Sequence, residues 1–130
     1  MYSEMSNNKL IQVDAVSQTF SVNKSYRGIG VLSNVYEIDS VGTIDDNGKV
    51  RIAIVNRSTE NDYNIAVHIQ GKPIVSTARL EKLTSDIPYQ RYLWTNNVDP
   101  VKKTVNNIRS TNNYFNIYIP KMGFAYLTLN

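Results

Sequence analysis

Residues 35–71 read VYEIDSVGTIDDNGKVRIAIVNRSTENDYNIAVHIQG, and their periodicity decides the fold. Tyr36, Ile38 and Ser40 alternate with Glu37, Asp39 and Val41, the period of two that a strand shows when one face is turned inward, and the pattern runs on to Ile44. Asp45-Asp46-Asn47-Gly48 then supplies the positive φ of a tight hairpin turn between two β-branched runs. Val50 to Val55 is apolar on both faces except at Arg51, which predicts a central strand covered on both sides. After the polar loop from Asn56 to Asp62, Tyr63, Ile65, Val67 and Ile69 alternate with Asn64, Ala66, His68 and Gln70, as in a half-buried strand.

Working outward, Leu10 to Val22 alternates loosely and predicts one or two strands, and the turn formers of Asn23 to Gly30 predict a crossing or reversal. Gly71-Lys72-Pro73 turns the chain, and Ile74 to Leu83 begins a further strand or strand pair. Thr84 to Asn113, rich in asparagine and poorly periodic, is expected to be an irregular excursion. The chain then closes with Phe115, Ile117 and Ile119, a turn at Pro120 to Gly123, and Ala125, Leu127 and Leu129 facing inward, read as a terminal hairpin. Many short strands with no long helical period predict an all-β fold, an antiparallel β-sandwich of about eight or nine strands. The 130 residues suit a single domain, 1–130, that buries roughly two thirds of its unfolded surface, with 1–9 a flexible N-terminus.

Composition removes several classes of function. There is no cysteine, hence no disulfide framework and no thiolate zinc site. The 14 basic and 11 acidic residues leave a net charge of +3 and are interspersed, so neither a nucleic-acid partner nor a strongly acidic one is expected; the densest basic group, Lys102, Lys103 and Arg109, reads as a solvated loop. No apolar run approaches the roughly 18 residues of a membrane span, and MYSEMSNNKL has no export pattern. No membrane partner and a cytoplasmic location are therefore expected. Asn23-Lys24-Ser25 and Asn56-Arg57-Ser58 match the glycosylation tripeptide, but without a secretory route they are expected to stay unmodified.

Five linked pieces carry a family resemblance: Ile38-Asp39-Ser40-Val41, Asp46-Asn47-Gly48, Ile54-Val55-Asn56-Arg57-Ser58, Leu83-Thr84-Ser85-Asp86, and Pro120 before the final strand. Each alone has a backbone explanation. In this order and spacing they resemble the C-terminal β-sandwich of α-L-arabinofuranosidase-like glycoside hydrolases, over about Ser33 to Leu129, with the catalytic (β/α)-barrel absent. At Tyr92-Leu93-Trp94-Thr95 the chain departs from the family pattern, in which an asparagine precedes the threonine. The resemblance implies a non-catalytic accessory domain that braces or associates with a glycoside hydrolase catalytic barrel, or associates with itself; the alternatives are a stand-alone carbohydrate-binding module and a structural or interaction protein that shares only the sandwich fold.

Glycoside hydrolysis needs two carboxyl groups about 5 to 9 Å apart, one with a raised pKa. Asp39, Asp45, Asp46, Glu60, Asp62, Asp86 and Asp99 fall mostly in turns or on exposed strand positions, where capping explains them, so no catalytic residue is assigned. His68 is the sole histidine and sits on the polar face of its strand, which argues against a metal site or a triad. Gly28-Ile29-Gly30 lacks the third glycine of a dinucleotide loop, and no cofactor is expected. Tyr89, Tyr92 and Trp94 lie close together in the irregular excursion and are the candidate residues for carbohydrate binding, which would make polysaccharide a partner, or for domain docking.

Overall fold

A computed structural model describes residues 2–22, 30–71, 76–85 and 101–129. It contains a short 3-10 turn, Tyr2–Met5, and the strands β1 (Lys9–Ile11), β2 (Thr19–Val22), β3 (Leu32–Tyr36), β4 (Ile38–Ile44), β5 (Val50–Asn56), β6 (Tyr63–His68), β7 (Thr77–Thr84), β8 (Lys102–Arg109), β9 (Tyr114–Ile119) and β10 (Phe124–Leu129). The main sheet has six strands in the order β1-β4-β5-β10-β7-β8, antiparallel throughout. A second layer is the antiparallel pair β6-β9, and β2-β3 forms a separate two-stranded ribbon. The fold is an all-β sandwich, as the alternation predicts.

The core lies between the main sheet and β6-β9. Ile52 and Ile54 of β5, Leu127 and Leu129 of β10 and Leu80 of β7 meet Phe115, Ile117 and Ile119 of β9, with Ile65 and Val67 of β6 packed against them. Each such side chain, fully buried, stabilises the fold by about 1.5–3 kcal/mol in transfer free energy. β5 is central and buried along most of its length, and β6 alternates between half-buried and exposed positions, both as predicted. On the other face of the main sheet, Met5 of the Tyr2–Met5 turn packs with Ala53 and Tyr126. Burial, and secondarily the Glu4 carboxylate, push the Tyr126 hydroxyl up to about 12.

The hairpin at Asp45 is built as its sequence requires. Gly48 has φ of 79° and its N–H donates to the Asp45 carbonyl at 2.9 Å. The Asp45 carboxylate accepts from the Asn47 and Lys49 N–H groups at 3.0 and 2.9 Å and pairs with Arg51 at 3.0 Å. Led by the Lys49 hydrogen bond, these contacts hold its pKa below the ordinary 3.8.

Three expectations are corrected. The run Tyr36 to Ile44 is not one strand: Glu37 breaks it, because its N–H donates to Gln18 at 2.9 Å and its carbonyl accepts from Arg57 at 2.7 Å, so the chain leaves the ribbon and enters the main sheet there. The irregular excursion holds an eight-residue edge strand, β8 (KKTVNNIR), paired to β7 along its length. It escapes a periodicity search because it is exposed at nearly every position, and its lysines suit an open edge. The closing segments are not a hairpin: β9 pairs with β6, whereas β10 lies between β5 and β7, so the Pro120–Gly123 turn carries the chain from one layer to the other. The described residues hold ten strands in all.

Candidate functional site

Tyr89, Tyr92 and Trp94, the residues singled out from sequence, lie outside the described residues. Among the described ones, four places invite a functional reading.

The first is a polar knot at the end of the sandwich where β3 to β4, β5 to β6 and β9 to β10 all turn. Asn56, at the end of β5 and 1% exposed, donates from Nδ2 to the carbonyls of Asn61, Pro120 and Ile119 at 2.8, 3.1 and 3.3 Å. Its Oδ1 accepts from the Ser58 N–H at 3.0 Å. Ser58 Oγ accepts from Asn61 and Glu60 N–H groups at 2.9 and 3.2 Å, and its carbonyl accepts from Met122, which has φ of 58°. Buried Glu37 accepts from the Tyr63 hydroxyl and from Asn61 Nδ2. The Asn-Arg-Ser piece of the sequence is therefore a bracket for three loops, and Asn56 is closed to glycosylation in the folded chain.

This knot is charged in a telling direction. The Tyr63 hydroxyl, against the opposing effect of burial, and then Asn61 and Ser58 hold Glu37 below its ordinary 4.5, while the Glu37 contact raises Tyr63. Asp62 is lowered by the Lys121 N–H at 2.8 Å and the Tyr118 hydroxyl at 3.0 Å. Burial raises Glu81, but Lys103 at 3.2 Å and Arg79 at 3.3 Å outweigh it and leave it lowered. These carboxylates are stabilised as anions that organise their surroundings, the opposite of what a general acid needs. Among the described residues no three of His, Cys, Asp and Glu gather into a metal-holding group.

The second place is the β2-β3 ribbon. Val22, Val31, Leu32 and Tyr36 are 38%, 58%, 43% and 46% exposed, and every position of the two strands is exposed or half-buried. A two-stranded ribbon alone is marginal. Arg57 ties its root, donating to the Tyr36 carbonyl, lying 5.9 Å from the Phe20 ring and 3.7 Å from Asp39. The ribbon is an arm with exposed apolar side chains, tied to the sandwich through Arg57.

The third place is the outer face of β6-β9. His68 lies opposite Tyr114 in register, and the rings stack at 4.4 Å with a 14° interplanar angle. Tyr118 stands on the same face, fixed by Asp62 and by Lys82 at 5.8 Å from its ring. The sequence reading set His68 on the polar face correctly but missed its aromatic neighbour, although the alternation that turns Phe115, Ile117 and Ile119 inward necessarily turns Tyr114 and Tyr118 outward.

The fourth is a cleft of about 720 Å³ between β6 and the extended chain after β1, walled by Ile11, Val13, Ala15, Ile52, Ile65 and Val67 among others. Among the described residues the main sheet has six strands and the β6-β9 layer two.

The fold is similar to part of several solved glycoside hydrolases. The chain aligns with the thermostable GH51 α-L-arabinofuranosidase from Thermotoga petrophila RKU-1 at a TM-score of 0.78 and 18% identity, covering 95% of this chain and 27% of that one. The α-L-arabinofuranosidase from Thermotoga maritima, in its arabinose complex, gives 0.76 and 20%, over 96% of this chain and 26% of that one. A family 44 xyloglucanase from Paenibacillus polymyxa gives 0.56 and 11%, over 75% and 17%. No family model and no curated protein matches the sequence. At these identities the likeness shows the fold, and the chain spans about a quarter of the length of the arabinofuranosidases it matches.

Proposed function

We propose that this chain is a non-catalytic accessory β-sandwich of an arabinofuranosidase-like glycoside hydrolase, which braces a catalytic (β/α)-barrel in the same polypeptide or in a separate one. The observation that carries the reading is the coverage: 95% of this chain, but 27% of the arabinofuranosidase, takes part in the match. The anionic, structurally engaged carboxylates support the non-catalytic part. The β2-β3 arm supports the bracing part, because an exposed apolar ribbon gains by burying Val22, Leu32 and Tyr36 against a neighbour.

The test is thermal unfolding and arabinofuranosidase activity of a family barrel stripped of its own sandwich, with and without this chain. A rise in the barrel's Tm that depends on chain concentration is expected. An unchanged Tm and an unchanged activity at saturating chain would overturn the reading, as would hydrolysis by this chain alone.

A further inference from the structure

We propose that the outer face of the β6-β9 layer is a binding platform for a neutral oligosaccharide. The two strands, YNIAVH and YFNIYI, contain no Asp, Glu, Lys or Arg, in a chain with 14 basic and 11 acidic residues. β1, β4, β5, β7 and β8 each carry charge; β10 is also uncharged but largely buried, and the β2-β3 ribbon, uncharged and exposed, carries a single tyrosine, Tyr36. The strands' own outward side chains are uncharged, and the two charges at the rim, Asp62 and Lys82, are already engaged with Tyr118, which suits a polyol rather than a phosphate, a nucleic acid or a charged peptide.

The register builds the platform. Three outward pairs follow one another across the strands: His68 with Tyr114, Ala66 with Asn116, and Asn64 with Tyr118. Tyr114 and Tyr118 are 42% and 47% exposed, and four residues of strand put them about 13 Å apart, the length of a short oligosaccharide rather than of one ring. Between them the small Ala66 leaves a shallow trough. The amides of Asn64 and Asn116 have no hydrogen-bond partner among the described residues and offer both donors and acceptors to hydroxyl groups.

The aromatic ends are already ordered before any ligand arrives. His68 stacks on Tyr114, and Tyr118 is held through its hydroxyl by Asp62 and across its ring by Lys82. Fixed rings lose little rotamer freedom on binding, and the apolar C–H face of a pyranose or furanose covers ring surface that water otherwise meets. The inference stands whether or not the chain braces a catalytic domain, since it concerns the isolated chain.

The test is affinity gel electrophoresis of the whole chain in gels containing arabinan, arabinoxylan, xyloglucan or mixed-linkage glucan, with polygalacturonate as the anionic comparison. Retardation by at least one neutral polysaccharide is expected, and Tyr114→Ala is expected to weaken it about tenfold, with Asn116→Ala weakening it less and Tyr118→Phe leaving it intact. Unfolding midpoints of the variants separate lost binding from lost fold. If Tyr114→Ala does not fold, His68→Ala with Asn116→Ala decides. Absence of retardation in every neutral gel, retardation unchanged by Tyr114→Ala and by His68→Ala with Asn116→Ala, or stronger retardation by polygalacturonate would each overturn the platform.

Discussion

Replacing Asn56 with alanine should cost this fold about 3–4 kcal/mol. The side chain is 1% exposed and joins three loops through four hydrogen bonds. One of its four partners keeps another bond: the Pro120 carbonyl also accepts from Gly123 at 2.9 Å. The Asn61 carbonyl and the Ser58 N–H are left unpaired in a buried place, at about 1–3 kcal/mol each, with a further contribution from the small cavity. For a chain of this size that loss lowers Tm by roughly 10–15 °C. Urea and thermal unfolding measure it, and hydrogen exchange should show the Met122 N–H losing protection before the core strands do. Asn56→Asp is the sharper variant, because it places an acceptor against three carbonyl oxygens. Its folded pKa should be raised, so its deficit should be smallest in acid and should widen as pH rises through that pKa. A loss below about 1 kcal/mol for Asn56→Ala, or an Asn56→Asp deficit that shrinks with rising pH, would refute the view that this residue holds the end of the sandwich.

Three further outcomes follow from the same geometry. A Cβ on Gly42 would stand 2.7 Å from Ile11 Cγ1 and 2.8 Å from Val13 Cγ2, so Gly42→Ala should destabilise by about 1–3 kcal/mol and be partly rescued by Ile11→Ala; chemical denaturation of the single and double variants checks this. Glu37 is held below 4.5, so its contribution is complete above that pH and is lost as pH falls below it; Tyr63→Phe should make the acid limb of stability shallower, and a steeper limb would contradict the assignment. Arg57→Ala should change global stability by less than about 1 kcal/mol, as exposed pairs do, yet speed proteolytic cleavage within β2 or β3, and unchanged cleavage would mean that the arm is held elsewhere.

Strands that bury one face were legible in the sequence because burial writes a period of two into it, as β6 and β9 show, and β5 was legible from its nearly continuous apolar run. β8 was not legible, since a strand exposed on both faces has no apolar face to write, and only its pairing with β7 defines it. The exchange of layers at Pro120 was equally hidden, because alternation says which side chains turn inward but not which sheet supplies the neighbour. Glu37 shows the same limit at one residue: its parity fits a strand, and only its bonds to Gln18 and Arg57 reveal the crossing. The stacked His68 and Tyr114 are separated in sequence by the whole of β7 and β8, and a contact of that range leaves no local pattern.

The most direct check on the bracing role is size-exclusion chromatography with light scattering on this chain mixed with an arabinofuranosidase barrel lacking its own sandwich, alongside the same mixture with Leu32→Asp on the arm. The account predicts a one-to-one complex that Leu32→Asp dissolves. Two independent peaks for the unaltered chain, or a complex indifferent to Leu32→Asp, would contradict it.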